Sequence, residues 1–276
     1  MPQGKESPAE KRAMTFSSRT VTRLWQEIPI ADNPYLADSC RCQGYDIMEL
    51  ARKRSFPDTL FLLFQGELPT VGQAKVLETL LIAMINPGPR HPAVRAAMNA
   101  GVGKTHAQHL LPIGLSILGG GHLGGEEVVE AMEFLKKNRP HDPQGMATAL
   151  LPTERPSEGD WHIAPGFGSR FGAIDPMPGK LAALLSTIPA SHEYLQWGTD
   201  FVEATTPHNL GWLSPGVAAA AFCDLGFHPR AGAGLYQLLC SPGILAHGLE
   251  LANKPITAMP FLDEEHYVIK PQKQKS

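Results

Sequence analysis

The chain has 276 residues, 43% of them hydrophobic, enough apolar surface for a substantial core in one large domain or two smaller ones. Its formal net charge is -3 with both signs scattered, which gives no electrostatic case for nucleic acid or an anionic membrane. The polar N-terminus MPQGKESPAEKRAMTFSSRT lacks the apolar core of a secretory signal, and runs such as LETLLIAMI fall short of the roughly 20 residues that cross a bilayer, so a soluble, cytoplasmic protein is expected.

Residues 1–20 are Lys, Glu, Ser and Pro with few large apolar groups, a composition that predicts disorder. Over 22–45, short mixed segments broken by Asn33-Pro34 and Gly44 predict a small hairpin or an irregular extended region. Helices follow. One is expected over 46–54, with Ile47 and Leu50 on one side and Arg52 to Arg54 near its C-terminal dipole. A second, almost wholly apolar, runs over 57–65 to a stop at Gly66. Thr70 and Gln73 have the spacing of a capping box and open a helix over 70–85, with Val76, Leu77, Leu80, Leu81 and Met84 at helical spacing until NPGP ends it.

Pro92 suits the first turn of a helix carrying residues 94–99, and the small residues Ala96, Ala97, Ala100, Gly101 and Gly103 would let neighbours approach closely. Further helices are expected over 110–118 and over 126–137, the latter with acids at its start and lysines at its end. RPHDPQGMATALLPTERPSEG, over 139–159, predicts a linker, and WHIAPGFGSRFGAIDP a glycine-proline loop. Three helices in LAALLSTI, HEYLQWGTDFVEA and SPGVAAAAFCDL then make a smaller domain over 151–230. Two more, over 231–240 and 244–251, rejoin a large helical domain formed by 21–150 and 231–276, and the tail FLDEEHYVI is expected to be extended.

Several motifs fail on inspection. Cys40 and Cys42 flank Arg41 but find no further pair of ligands at zinc spacing, so no metal and four buried or half-buried free thiols are expected. Gly119, Gly121 and Gly124 satisfy GxGxxG without the flanking strands of a dinucleotide fold, and Glu126 and Glu127 would repel a pyrophosphate. GVGKT lacks the first glycine of a P-loop, since Met98 stands there. Ser169 is not a nucleophile elbow, because Phe167 stands where that motif needs glycine.

LFLLFQGELPT, followed roughly fifty residues later by GGGHLGGEEV, resembles the citrate synthase superfamily, and the length resembles its compact citryl-CoA lyase module. GYDIMEL, APGFGSRFGAIDP, PGVAAAAFCDL and SPGILAHGLE extend the resemblance over about 43–267. It implies a mainly α fold with a large and a small domain, a homodimer, and Claisen or retro-Claisen chemistry on a CoA thioester with a small oxo- or carboxylic acid. Coenzyme A is then a co-substrate. In the family an aspartate takes the α-proton, one histidine holds the enol and another polarises the electrophile.

His122 looks like the enol-holding histidine, with Leu123 before the two glycines that usually follow directly. The other groups depart from the pattern. Ser169 stands for the second histidine and Pro215 for the aspartate, while Met177 and Cys240 replace arginines that hold the oxoacid. Pro87 replaces a substrate histidine, and Arg90, His91 and Arg95 either supply a rearranged anion contact or form a solvated helix start. Pro165, Gly166, Phe167 and Gly168 match the loop that frames the adenine of CoA. Two readings follow. The protein is an acyl-CoA transferase or lyase acting through His122 and Ser169, and not on citrate itself; or it is a non-catalytic paralogue that binds acyl-CoA or serves as a regulatory or interaction subunit.

Overall fold

A computed structural model describes residues 19–153, 160–260, 265–267 and 270. The expected N-terminal disorder and the extended tail fall mostly outside them. The chain forms two compact units, Met1–Glu67 and Leu68–Ser276. Helix accounts for 58% of the described residues, which form eleven α-helices with small sheets. No described helix is long and apolar enough to cross a membrane.

In the first unit, β1 (Trp25–Ile30) and β2 (Asn33–Cys42) make an antiparallel hairpin, with Trp25 opposite Cys42 and Glu27 opposite Cys40. Of the two sequence alternatives the hairpin is the one formed. A two-residue β3 (Tyr45–Asp46) returns along β2 and leads into α1 (Ile47–Lys53), whose Met48 and Glu49 amides donate to the Asp46 carboxylate. Ser55 and Asp58 cap α2 (Phe56–Gln65) reciprocally, and Gly66 ends it at φ +83°, a conformation that glycine adopts without steric cost.

The second unit opens with α3 (Val71–Ala83), where Thr70 and Gln73 form the expected capping box. Then come α4 (Pro92–Val102), α5 (Leu110–Leu118), α6 (Gly125–Asn138) and α7 (Pro143–Leu150). Helix α7 lies within the segment expected to be a linker. Its start is local chemistry: the Asp142 side chain accepts the Gly145 amide at 2.7 Å and Pro143 occupies the first turn. The glycine-proline loop is likewise more ordered than expected. β4 (His162–Ala164), β5 (Phe167–Gly168) and β6 (Gly211–Trp212) form a three-stranded antiparallel sheet.

Helices α8 (Pro176–Ser186), α9 (Glu193–Thr205) and α10 (Ser214–Asp224) follow, and α11 (Pro229–Ala252) closes the unit. The two helices expected over 231–251 are one, with Pro242 inside it. Proline removes an amide donor and strands the carbonyl four residues back. Here the Ser241 hydroxyl donates to Leu238 O at 3.0 Å, so the stranded carbonyl is satisfied, and the Gly243 amide turns to Ile85 O at 2.9 Å while the helix continues.

Helix α11 packs on α4, α5 and α6, and α10 packs on α6 and α9. Phe134, Phe167, Trp197, Phe201 and Trp212 form an aromatic cluster with neighbouring ring centroids 4.7 to 6.2 Å apart, joining α6 and α9 to the small sheet. At its edge α10 touches the 165–166 turn backbone to backbone, and a Cβ added at Gly216 would collide with the Gly166 carbonyl. Gly216→Ala should therefore destabilise the protein by about 2 kcal/mol or more in urea unfolding. Gly234→Ala, where an added Cβ meets open space on α11, should be neutral or stabilising by about 0.5–1 kcal/mol. Equal effects at the two positions would refute the close approach.

Candidate functional site

The N-terminus of α6 carries a buried carboxylate. Glu127, 2% exposed, accepts the Leu123 amide on Oε2 at 2.9 Å and the Gly166 amide on Oε1 at 3.2 Å. His162 Nδ1 donates to the same Oε1 at 2.9 Å. One side chain therefore ties the bend before α6, the 165–166 turn and strand β4 together. The Glu127 hydrogen bond raises the His162 pKa against the opposing effect of burial. His162 Nε2 is buried and has no hydrogen-bond partner among the described residues. The exposed His122 ring lies nearly parallel to it, with centroids 6.3 Å apart.

A cleft of ≈ 540 Å³ opens between the 87–90 loop and residues 170–176. Arg90, on its wall, makes no hydrogen bond or ion pair with any described residue. Arg170 Nη1 lies 3.5 Å from Asp175 Oδ2, and its guanidinium lies 5.4 Å from the Phe171 ring centroid. Asp175 also caps α8 by accepting the Met177 amide at 3.0 Å. Behind the cleft a hollow of ≈ 40 Å³ shares Pro87, Arg170 and Asp175 with it and is closed by His91, Leu123 and Tyr236.

His91 Nδ1 accepts the Ala93 amide at 3.2 Å, which leaves the proton on Nε2, 3.3 Å from Leu123 O. Burial pushes its pKa down, so this imidazole is neutral and acts as the N-cap of α4. Burial also pushes the Tyr236 phenol up.

The candidates read from the sequence separate in space. Arg90 and His91 line the cleft and the hollow behind it, whereas Arg95 is exposed on α4 and lines neither. At the 121–125 bend, Leu123 rather than His122 faces the hollow: Leu123 is buried at φ +53°, a left-handed conformation that favours glycine, and His122 is left exposed. Ser169 is 1% exposed, and its Oγ accepts the Trp161 amide at 3.4 Å instead of lining the cleft. Pro165 is half-buried, while Gly166, Phe167 and Gly168 are buried.

The Gly166 amide goes to Glu127, its carbonyl accepts the Leu213 amide at 3.0 Å, and the Phe167 ring belongs to the aromatic cluster. These backbone groups hold the loop in place. Of the other replaced positions, Pro215 is buried in the first turn of α10, and Cys240 is buried with its thiol pushed up to about 12 by desolvation. Glu127, His162, Arg170 and Asp175 are not among the candidates that the sequence pattern singles out. Glu127 is legible there only as an acid near a helix start, and Asp175 only as an Asp-Pro cap.

Neither a protein-family model nor a curated protein sequence matches the chain. Solved structures do. Citryl-CoA lyase from Hydrogenobacter thermophilus is 23% identical with a TM-score of 0.75, over 93% of this chain and 97% of that one. ATP citrate lyase from Methanothrix soehngenii is 20% identical with a TM-score of 0.67; the match covers 97% of this chain and 48% of that one, so this chain spans about half its length. Citrate synthase from Thermoplasma acidophilum is 15% identical with a TM-score of 0.58, over 80% of this chain and 59% of that one. At these identities the likeness establishes architecture, and the protein has the helical fold of the citrate synthase superfamily.

Proposed function

We propose that the protein acts on a CoA thioester and a small carboxylic acid, making or breaking a carbon-carbon bond by Claisen or retro-Claisen chemistry, and that citrate is not its substrate. The observation that carries this is the cleft, which offers Arg90, unpartnered among the described residues, and the loosely held Arg170, on a fold of which one solved example is a complex with citrate and coenzyme A. Two guanidiniums less the Asp175 carboxylate leave one net positive charge, enough for one carboxylate and too little for three. In this reading His122 holds the thioester enolate, the Pro165–Gly168 turn meets the coenzyme at its half-buried Pro165, and Ser169 serves through the backbone it holds, next to Arg170. Residues 151–230 form the small lobe, and the protein works as a homodimer.

A specific observation favours the second reading, a non-catalytic paralogue. Pro215 and Ser169, in place of the aspartate and the second histidine, are both buried, and neither can take a proton near neutral pH. Calorimetry with CoA, then mass-spectrometric detection of deuterium entering the acyl-CoA α-carbon, separates the two. The enzyme reading expects binding, and exchange that His122→Ala slows by about 100-fold or more. Binding without exchange supports the paralogue, and absence of binding sinks both.

The Glu127–His162 pair makes a separate prediction about pH. A histidine pKa raised in the folded protein gives stability that is fully present below the unfolded value, about 6.5, and is lost as pH rises through the folded pKa. Glu127→Gln removes the carboxylate that raises it. In chemical denaturation the variant should be less stable than the parent, with the gap widest near pH 6 and narrowing as pH is raised. A gap that grows with pH would contradict the assignment.

A further inference from the structure

We infer that the acid taken by this cleft is a monocarboxylate with an apolar tail, held by Arg90 and Arg170 at its head and by a pocket around Met177 at its tail. The inference deepens the proposed function by naming the second substrate's class. It rests on that reading only for the acid's part in a reaction.

Three hollows adjoin. The cleft and the narrow hollow share Pro87, Arg170 and Asp175; the narrow hollow and a third pocket of ≈ 210 Å³ share Pro178 and Ser214. Met84, Met177, Leu181 and Leu184 make the third pocket apolar, with Lys180 at its edge. Lys180 is exposed, so its stem can lie along the wall while the ammonium stays in water. Polarity therefore changes along the row, from cationic at Arg90 to apolar at Met177.

The head is argued from charge. Among the described residues Arg90 has no partner, and Arg170 has only the Asp175 carboxylate, at 3.5 Å, beyond the 2.7–2.9 Å of a strong charge-assisted bond, so guanidinium donors remain for one incoming carboxylate. The tail is argued from exposure. Met177 is 64% and Leu184 53% exposed on the pocket wall, apolar area that an aliphatic chain would remove from water. A second or third carboxylate at that end would be desolvated against thioether and aliphatic groups, with no guanidinium on the pocket wall to meet it.

The test is calorimetric titration of the intact chain, without CoA, using acetate, butyrate, hexanoate, octanoate, octanamide and citrate. Affinity should rise about fourfold per added methylene through the series. Octanamide should bind at least tenfold more weakly than octanoate, and citrate more weakly still. Arg90→Gln should erase the difference between octanoate and octanamide. Met177→Arg, at an exposed position, should flatten the chain-length dependence while leaving the circular-dichroism melt unchanged. Affinity independent of chain length, equal binding of acid and amide, or an unaltered slope in Met177→Arg would each overturn the inference. With no thioester present, these outcomes leave the CoA reading untouched, and loss of α-carbon exchange leaves this one untouched.

Discussion

A carboxylate removed from water must find a donor for each oxygen or cost several kcal/mol, and Glu127 finds its donors in three separate parts of the chain. One is the amide of the bend four residues before it, the second the amide of a glycine in the 165–166 turn, and the third the imidazole of strand β4. Pulling any of them away would leave a buried charge partly unpaired. Helix α6, the bend and the small sheet are in this way held as one piece, and the N-terminal end of the α6 dipole adds to the stabilisation.

Around that junction the packing is mostly close and apolar. The aromatic cluster draws Phe167 inward from the same loop whose Gly166 amide Glu127 holds, and the contact of Gly216 with Gly166 leaves no room for a side chain at either position. The loop is fixed from both sides, so Ser169 is drawn into the interior while Arg170, one residue on, reaches the cleft. A comparable displacement occurs at the bend, where the left-handed Leu123 sends its own side chain inward and leaves His122 outside. Both shifts are one residue long, and both change what the cleft presents.

A shared fold does not carry its chemistry with it. What this chain presents on a citrate-synthase-like frame is Arg90 and Arg170 on the cleft wall, a neutral capping histidine at the entrance to α4, and a largely apolar pocket around Met177. The scaffold supplies the walls, and the polar residues at their edge set what they accept.

Much of the helical order was legible in the residues themselves, because its determinants are local. The Thr70–Gln73 box, the Gly66 stop, Pro92 in a first turn and the charge gradient of α6 act within a few positions of chain, and each appears in the structure. Helix α7 was hidden by the proline-rich composition around it, although Asp142 and Pro143 mark its start. The continuity of α11 was not legible at all, since the amide of Gly243 finds its acceptor at Ile85 on a distant segment.

The site divides in the same way. Arg90, His91 and Arg95 could be picked out only through the family resemblance around Pro87, and of these Arg90 and His91 line the cleft and the hollow behind it. The Glu127–His162 pair is separated by 35 positions, and the inward choice of Leu123 over His122 turns on a single backbone angle. By itself the sequence determined the helical class and the family likeness, because these depend on residue type and short spacing. Tertiary structure alone decided which side chains face the cleft, because orientation depends on φ and on partners brought together from far along the chain.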